Sequence, residues 1–269
     1  MEKHILYSDL DGTLIIGDEQ SLTISKVNQS AIKKWVEQGN YFSIATGRTL
    51  LQVKKIVKDL IPLNAPLVLA NGAVVYDLDK NKIIYQDKLA KKSIKELLSV
   101  LKSRNDMILI LADPTRYYAI LPKDTSQAPI IYFDCETTEY EKIKKLSFIK
   151  AIAFVNENSA DEIKEIITSL PSAKGINVIP SSKNLIEIVN KEVNKGQAIK
   201  IAIHKMQLSY GKLYAIGDYY NDLEMLRIAD VSAAPGNAHP NVKIEVDHVV
   251  SNHDEDAVAH FIAKIMKAA

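Results

Sequence analysis

The sequence predicts an α/β protein: a doubly wound, Rossmann-like parallel sheet that carries an inserted α+β domain with an open-faced sheet and two helices. Three observations carry that expectation. Short apolar runs alternate with amphipathic segments up to residue 82. The strict order breaks down between about residues 83 and 190, and from 191 to 269 the alternation returns. Residues 1–82 and 191–269 are therefore assigned to one core, and 83–190 to an insertion.

Each element has its own signal. Ile5-Leu6-Tyr7-Ser8 reads as a buried strand ending at Asp9. A helix is expected from about Ser25 to Gln38, stopped by Gly39. Tyr41–Ala45 is a second strand, Arg48–Leu60 a second helix ended near Pro62, and Leu67–Ala70 a third strand leading into an Asn71-Gly72 turn. In the insertion, Ile94, Leu97, Leu98 and Leu101 form one helical stripe, and Ile163, Ile166, Ile167 and Leu170 form another. Around them Met107–Ala112, Tyr117–Leu121, Ile149–Val155, Ile176–Pro180 and Leu185–Val189 are rich in β-formers, so both stripes are expected to pack on one sheet. A helix from about Gly196 to Gln207, the strand Leu213–Gly217 and a helix Leu223–Ala229 follow. The last helix places Val258, Phe261, Ile262, Ile265 and Met266 on one face, with Asp254 as its expected N-cap.

Composition excludes several classes of function. Among 269 residues, Lys+Arg at 34 against Asp+Glu at 33 leaves a net charge of +1, which argues against a nucleic-acid footprint. The single cysteine, Cys135, cannot form an intramolecular disulfide and suits a reducing cytoplasm. No stretch approaches the ~20 apolar residues of a membrane span, and the start of the chain shows no apolar signal region, so a cytoplasmic protein is expected.

The chemistry gathers where strands end. In an open parallel sheet, ligands bind beyond the carboxyl ends of the strands. Three such ends carry polar residues foreign to a sheet: Asp9-Leu10-Asp11-Gly12-Thr13, Thr46-Gly47-Arg48, and Gly217-Asp218-Tyr219-Tyr220-Asn221-Asp222. Converging, they would place four carboxylates in one volume, where like charges repel unless a cation sits among them. All-oxygen ligands favour a hard ion, and Mg²⁺ is the usual partner of phosphate oxygens. Lys195 precedes Gly196 at the expected start of a helix, where an anionic ligand would offset the unfavourable meeting of a cation with the helix dipole. A Lys, a Thr hydroxyl, an Asn amide and a metal around one point describe a phosphate site, with a carboxylate as the natural nucleophile.

Taken singly, each element has a plainer reading. Asp-X-Asp-Gly can be a turn or part of a calcium loop, although the twelfth position from Asp9 is Gln20 rather than the Glu an EF-hand needs. Thr46 and Asn221-Asp222 can cap helices, and Lys195 alone would be solvated. His253, beside Asp254 and Asp256, could be a metal ligand but reads better as part of a surface turn. Joint placement at strand ends is what favours a site.

These motifs resemble those of the haloacid dehalogenase superfamily of phosphohydrolases, specifically its Cof-type members with a type IIB cap. Tyr7–Leu14 matches the first motif, Ile44–Arg48 the second, Asn194-Lys195-Gly196 the third and Gly217–Met225 the fourth, while Ala234–Ala238 resembles the segment between the last core strands. The match spans the core in order; the insertion matches in position and layout only.

The resemblance implies that Asp9 is the nucleophile, forming an aspartyl-phosphate, and that Asp11 protonates the leaving oxygen and then deprotonates the attacking water. It implies that Thr46 and Lys195 hold the phosphoryl oxygens, assisted by Leu10, Gly47 and Asn221. It also implies that Mg²⁺ is held by Asp9, the Asp11 backbone carbonyl and Asp218, with Asp222 orienting the site. The substrate so implied is a small phosphorylated metabolite, with sugar phosphates foremost. About 35 residues separate Asp11 from Thr46, too few for a lid domain, whereas about 147 separate Gly47 from Lys195. Aromatic residues of that insertion, Tyr117, Tyr118, Tyr132 and Phe133, could stack on a sugar or serve its core. Tyr219 and Tyr220 depart from the small residue that many relatives carry first in the fourth motif, and Ala257 stands where a Gly is common.

Two rival functions follow from the same residues. A dedicated sucrose- or trehalose-phosphate phosphatase would differ only in the insertion. A receiver-like signalling domain also joins an acceptor Asp to Mg²⁺, Thr and Lys, but it has no use for Asp11 or for a lid.

Overall fold

The computed structural model describes residues 2–18, 21–57, 59–131 and 134–268; Gln20, Tyr132 and Phe133 lie outside them. The chain divides into two compact units, Met1–Tyr85 with Asn194–Ala269, and Gln86–Val193.

In the first unit five strands form a sheet in the order His248–Val249, Val231–Ala234, Leu213–Ile216, Ile5–Ser8, Tyr41–Ile44, and every pairing is parallel. A parallel bridge from Ala45 to Val68 leads on to a three-stranded sheet of Leu67–Leu69, Val74–Asp77 and Lys82–Gln86. Alternation along the strands divides the side chains between two faces. Ile5, Tyr7, Leu213 and Ala215 pack with Ile199, Ala202, Met225 and Leu226 of the helices Lys195–Met206 and Leu223–Ile228. Tyr214, on the opposite face, meets the rings of Trp35 and Phe261 from the helices Lys26–Glu37 and Ala257–Ala268. The sheet is thus doubly wound. Its Ile5–Ser8 strand lies between a neighbour that follows at once and one that returns about 200 residues later, the topological switch point of an open α/β sheet.

Helix boundaries follow local hydrogen bonding. Ser25 caps the first helix by accepting the Asn28 N–H at 3.1 Å. The second helix, Leu50–Val57, starts at Leu50 rather than at Arg48, whose carbonyl accepts the Ala70 N–H at 3.0 Å. The expected cap of the last helix needs correction. Asp254 lies in a separate turn, His253–Glu255, closed by reciprocal bonds between Asn252 and Glu255. Asp256 then takes a left-handed φ of 63°, and the helix starts at Ala257. Its free Ala259 N–H is accepted instead at 2.8 Å by the buried amide of Asn28, from the first helix.

The second unit is a six-stranded sheet in the order Glu136–Thr137, Tyr117–Ile120, Met107–Ala112, Lys150–Val155, Leu185–Asn190, Ile176–Ser182. All pairings are antiparallel except that of the short Glu136–Thr137 strand. One face packs against the helices Lys91–Lys102 and Ala160–Ser169: Leu97, Leu101, Ile163 and Ile167 meet Leu109, Leu111, Ala151 and Ala153. Both predicted stripes thus serve this core, as does Tyr118, whose ring meets Phe148 edge-on. The alternate residues project from the opposite face. There the buried Lys150 ammonium pairs with Glu187 at 2.9 Å and stands 5.6 Å from the centre of the Tyr117 ring.

Candidate active site

The register of the parallel pairs sets the site. Ser8 is level with Ile216, and the Asp9 N–H still donates to the Ile216 carbonyl at 2.9 Å, so Asp9 and Asp218 leave the sheet at the same end. Lys195 opens its helix behind Asn194, whose side chain caps it by accepting the Gln197 N–H at 2.7 Å. The Lys195 side chain is wholly buried, and its ammonium lies 2.6 Å from Asp9 Oδ1 and 2.5 Å from Asp222 Oδ1. Asp222 is buried too, and its second oxygen accepts the backbone N–H groups of Asp218 at 2.9 Å and Tyr219 at 3.1 Å. That carboxylate braces the loop of the fourth motif while it holds the lysine.

Electrostatics follow from three carboxylates sharing one ammonium. Burial, then the Asp222 charge, pushes the Asp9 pKa well above the usual carboxylate range, against the opposing pull of Lys195. The same causes push Asp218 up to about 7. Burial works against the Lys195 charge, but Asp222 and Asp9 outweigh it and hold its pKa above the ordinary value. Negative charge is in surplus.

That surplus fits a hard cation. Oxygens of Asp9, Asp218 and Asp222 lie within 4.8 Å of one another, the only such cluster among the described residues. The donors are all oxygen, which suits Mg²⁺ better than a softer metal. Gly12, at φ +72°, leaves room for them: a Cβ there would stand 2.6 Å from Asp218 Oδ2. His253 is not in this cluster; its N–H donates to Asn237 Oδ1 at 2.8 Å.

Asp11 points elsewhere. Its half-exposed carboxylate takes a fork of bonds from Arg48, Nε to Oδ2 at 2.8 Å and Nη2 to Oδ1 at 2.6 Å. Leu10 is buried, and its carbonyl accepts the N–H groups of Leu14 and Ile15 at 3.0 Å, closing the first-motif loop. Thr46 is also buried, its hydroxyl accepting the Arg48 N–H at 3.2 Å. Asn221 donates through its amide to Asn71 Oδ1 at 3.1 Å, and the Asn71 amide lies against Gly47.

Four residues without a role in the sequence reading therefore touch this site. Arg48 grips Asp11. Thr13 donates to Asp218 Oδ1 at 3.1 Å, and Asn237 donates to the Gly12 carbonyl at 2.8 Å. Asn71 contacts two motifs. Arg48, Thr13 and Asn237 stand inside the quoted motifs, which was their available signal. Asn71 reads in sequence as half of an Asn-Gly turn.

Several known proteins are similar to this chain over nearly its whole length. A family model for haloacid dehalogenase-like hydrolases matches residues 6–262. A protein of Buchnera aphidicola subsp. Baizongia pistaciae, named as a candidate phosphatase, is 31% identical over 97% of this chain and 98% of its own length. The Bacillus subtilis 5-amino-6-(5-phospho-D-ribitylamino)uracil phosphatase YwtE is 27% identical, covering 96% of each chain. Among solved structures, the HAD subclass IIB sugar phosphatase BT4131 superposes with a TM-score of 0.78 at 23% identity, over 99% of this chain and 98% of that one. With a family model covering nearly its whole length and motifs gathered at one end of a parallel sheet, the chain belongs to the haloacid dehalogenase-like hydrolase family.

Proposed function

We propose that this hydrolase is a Mg²⁺-dependent phosphatase acting on small phosphorylated metabolites through an aspartyl-phosphate at Asp9. The observation that carries the reading is the buried Lys195 ammonium between Asp9 and Asp222, with Asp218 close by. A buried cation beside a crowded carboxylate suits a dianionic phosphoryl group.

In this reading an Asp9 oxygen attacks phosphorus while the bond from phosphorus to the ester oxygen breaks. Asp11 gives its proton to that leaving oxygen, and it must exchange its Arg48 fork for the substrate to do so. Water then attacks the phosphorus of the aspartyl-phosphate and gives a proton to Asp11, which releases phosphate and restores the Asp9 carboxylate. Lys195, Thr46, Asn221 and the backbone at Leu10 and Gly47 hold the phosphoryl oxygens. Asp9, Asp218 and the Asp11 carbonyl, braced by Asp222, would hold Mg²⁺, which when bound supplies positive charge to the phosphoryl oxygens.

In this reading Gln86–Val193, a compact unit of its own, is the family's cap, to which choice among substrates is assigned. The proposed substrate is a phosphate ester on a polyhydroxylated carbon chain, sugar phosphates foremost. The activities for which these relatives are named support this, since a sugar phosphate and a phosphoribityl compound share that linkage. No helix among the described residues is long and apolar enough to cross a membrane, and the reading places the enzyme in the cytoplasm.

Turnover of p-nitrophenyl phosphate and of a panel of phosphorylated metabolites with Mg²⁺ tests the proposal. Steady release of phosphate, abolished in Asp9→Asn, is expected. A stable phospho-protein without turnover would instead support the receiver-like reading.

A further inference from the structure

Residues Ala70, Asn71 and Gly72 all take positive φ, at 50°, 57° and 103°. Gly tolerates this conformation and Asn enters it at modest cost, but an alanine held there is strained by about 1–2 kcal/mol. Strain of this kind persists only where surrounding contacts impose it. Those contacts are specific. The Ala70 N–H donates to the Arg48 carbonyl and the Asn71 N–H to the Thr46 carbonyl, both at 3.0 Å. Gly72 lies so close to the Asn194 carbonyl that a Cβ would overlap it. One three-residue turn thus braces the second motif on one side and the residue before Lys195 on the other.

The side chain of Asn71 completes the arrangement. It is buried, with 2% exposure. Its Oδ1 accepts the Asn221 amide at 3.1 Å, and the same oxygen would stand 3.1 Å from a Cβ on Gly47. An amide nitrogen has two hydrogens, and Asn71 binds one of those on Asn221. The Asn221 side chain is thereby fixed in rotation, with its other hydrogen directed by the geometry of the planar amide.

We infer that Asn71 is a positioning residue for phosphate: it orients the Asn221 amide and, through the left-handed turn, sets Thr46 and Gly47 and the helix start at Lys195 in one register. The inference rests on the reading that Thr46, Gly47, Lys195 and Asn221 hold the phosphoryl group. Asn71 itself need not touch the substrate. Its contribution is to remove rotational freedom from a group that does.

The test is a double-mutant cycle on Asn71→Gly and Asn221→Ala. Glycine keeps the left-handed backbone available and deletes the amide, so an effect of Asn71→Gly is not an effect of backbone strain. Inorganic phosphate is titrated calorimetrically into each Mg²⁺-loaded variant, and kcat and KM are measured with p-nitrophenyl phosphate. Asn71→Gly is expected to weaken phosphate binding by about tenfold, the scale of one hydrogen bond, and to raise KM more than it lowers kcat. In the Asn221→Ala background the same change should weaken binding by less than about twofold, because the group being oriented is gone. Wild-type phosphate affinity in Asn71→Gly, or the full loss in both backgrounds, would overturn the inference. Turnover that survives Asp9→Asn would overturn the catalytic reading instead, and the phosphate titrations would still decide the role of Asn71. Failure of phosphate to bind the wild type would overturn both.

Discussion

The Lys195 ammonium lies 2.6 Å from the Asp9 carboxylate, and its side chain has no exposure to solvent. One cation so placed balances charge for Asp222 as well, and three buried or nearly buried carboxylates, Asp9, Asp218 and Asp222, depend on it. Replacing Lys195 by Met is therefore expected to damage both fold and function. Leaving buried carboxylates unpaired costs about 3–5 kcal/mol, which a thermal melt would register, and p-nitrophenyl phosphate turnover should fall by about 100-fold or more. Lys195→Met with an unchanged melting temperature would show that the pair contributes nothing to stability.

Mg²⁺ is expected to stabilise the wild type by mass action. At a concentration of about 100 times its dissociation constant the gain is about 2.7 kcal/mol, a rise in melting temperature of roughly 5 °C. Asp218→Asn should reduce that rise at the same concentration, because the asparagine is a weaker ligand and carries no charge. Chelation with EDTA should abolish turnover, and restored Mg²⁺ should recover it. Equal Mg²⁺ shifts in the wild type and the variant would remove Asp218 from the metal site.

In the second unit, Asp106 takes Arg104 Nε at 2.8 Å and Nη2 at 2.7 Å, with 19% exposure of its side chain. The hydrogen bonds from Arg104 are the main cause of a lowered Asp106 pKa. A lowered folded pKa contributes stability above the unfolded value of about 3.9, and that stability is lost as pH falls through the folded value. Asp106→Asn should therefore destabilise at pH 7, and its deficit should shrink toward pH 3. Urea melts of both proteins across that range measure it; a constant deficit would show that shape, not charge, is what Asp106 supplies.

Lys150 and Glu187 form a buried pair on the face of the second unit's sheet opposite the helices Lys91–Lys102 and Ala160–Ser169. Glu187→Leu alone removes the carboxylate that balances the Lys150 charge and should cost about 3–5 kcal/mol. The double variant Lys150→Met with Glu187→Leu should recover most of that loss, since an apolar pair of similar volume avoids burying charge. Melting temperatures of the three variants check this. If the double variant is as unstable as the single, the pair stabilises the sheet in its own right.

Much of this was legible because apolar runs that stop abruptly at Asp9 and just before Asp218 mark strand ends, and strand ends in a parallel sheet share one side. The helical stripes around Leu97 and Ile163 were equally plain. What stayed hidden depends on distance along the chain. Asn28, in the first helix, caps the last helix across 231 residues, so no local pattern pointed away from Asp254. Lys150 and Glu187 meet because their strands are neighbours, and that register is invisible in either strand alone. Asn71 reads in sequence as half of a turn because the left-handed backbone of the preceding Ala70 leaves no trace in its identity. Arg48 stood within a recognised motif, but its grip on Asp11 depends on where two loops arrive.

The place of the Ile5–Ser8 strand, between Tyr41–Ile44 and Leu213–Ile216, has a consequence for synthesis. One of its flanks is filled early; the other waits for about 205 more residues, some 10–40 s at ordinary ribosomal rates of about 5–20 residues per second. Throughout that interval one row of its backbone N–H and C=O groups lacks the partner they have in the finished sheet, which is the hazard of any open strand edge. The Asp9 carboxylate likewise waits, since Lys195, Asp218 and Asp222 all emerge in the last third of the chain. A nascent or prematurely ended chain would carry Asp9 and no site around it.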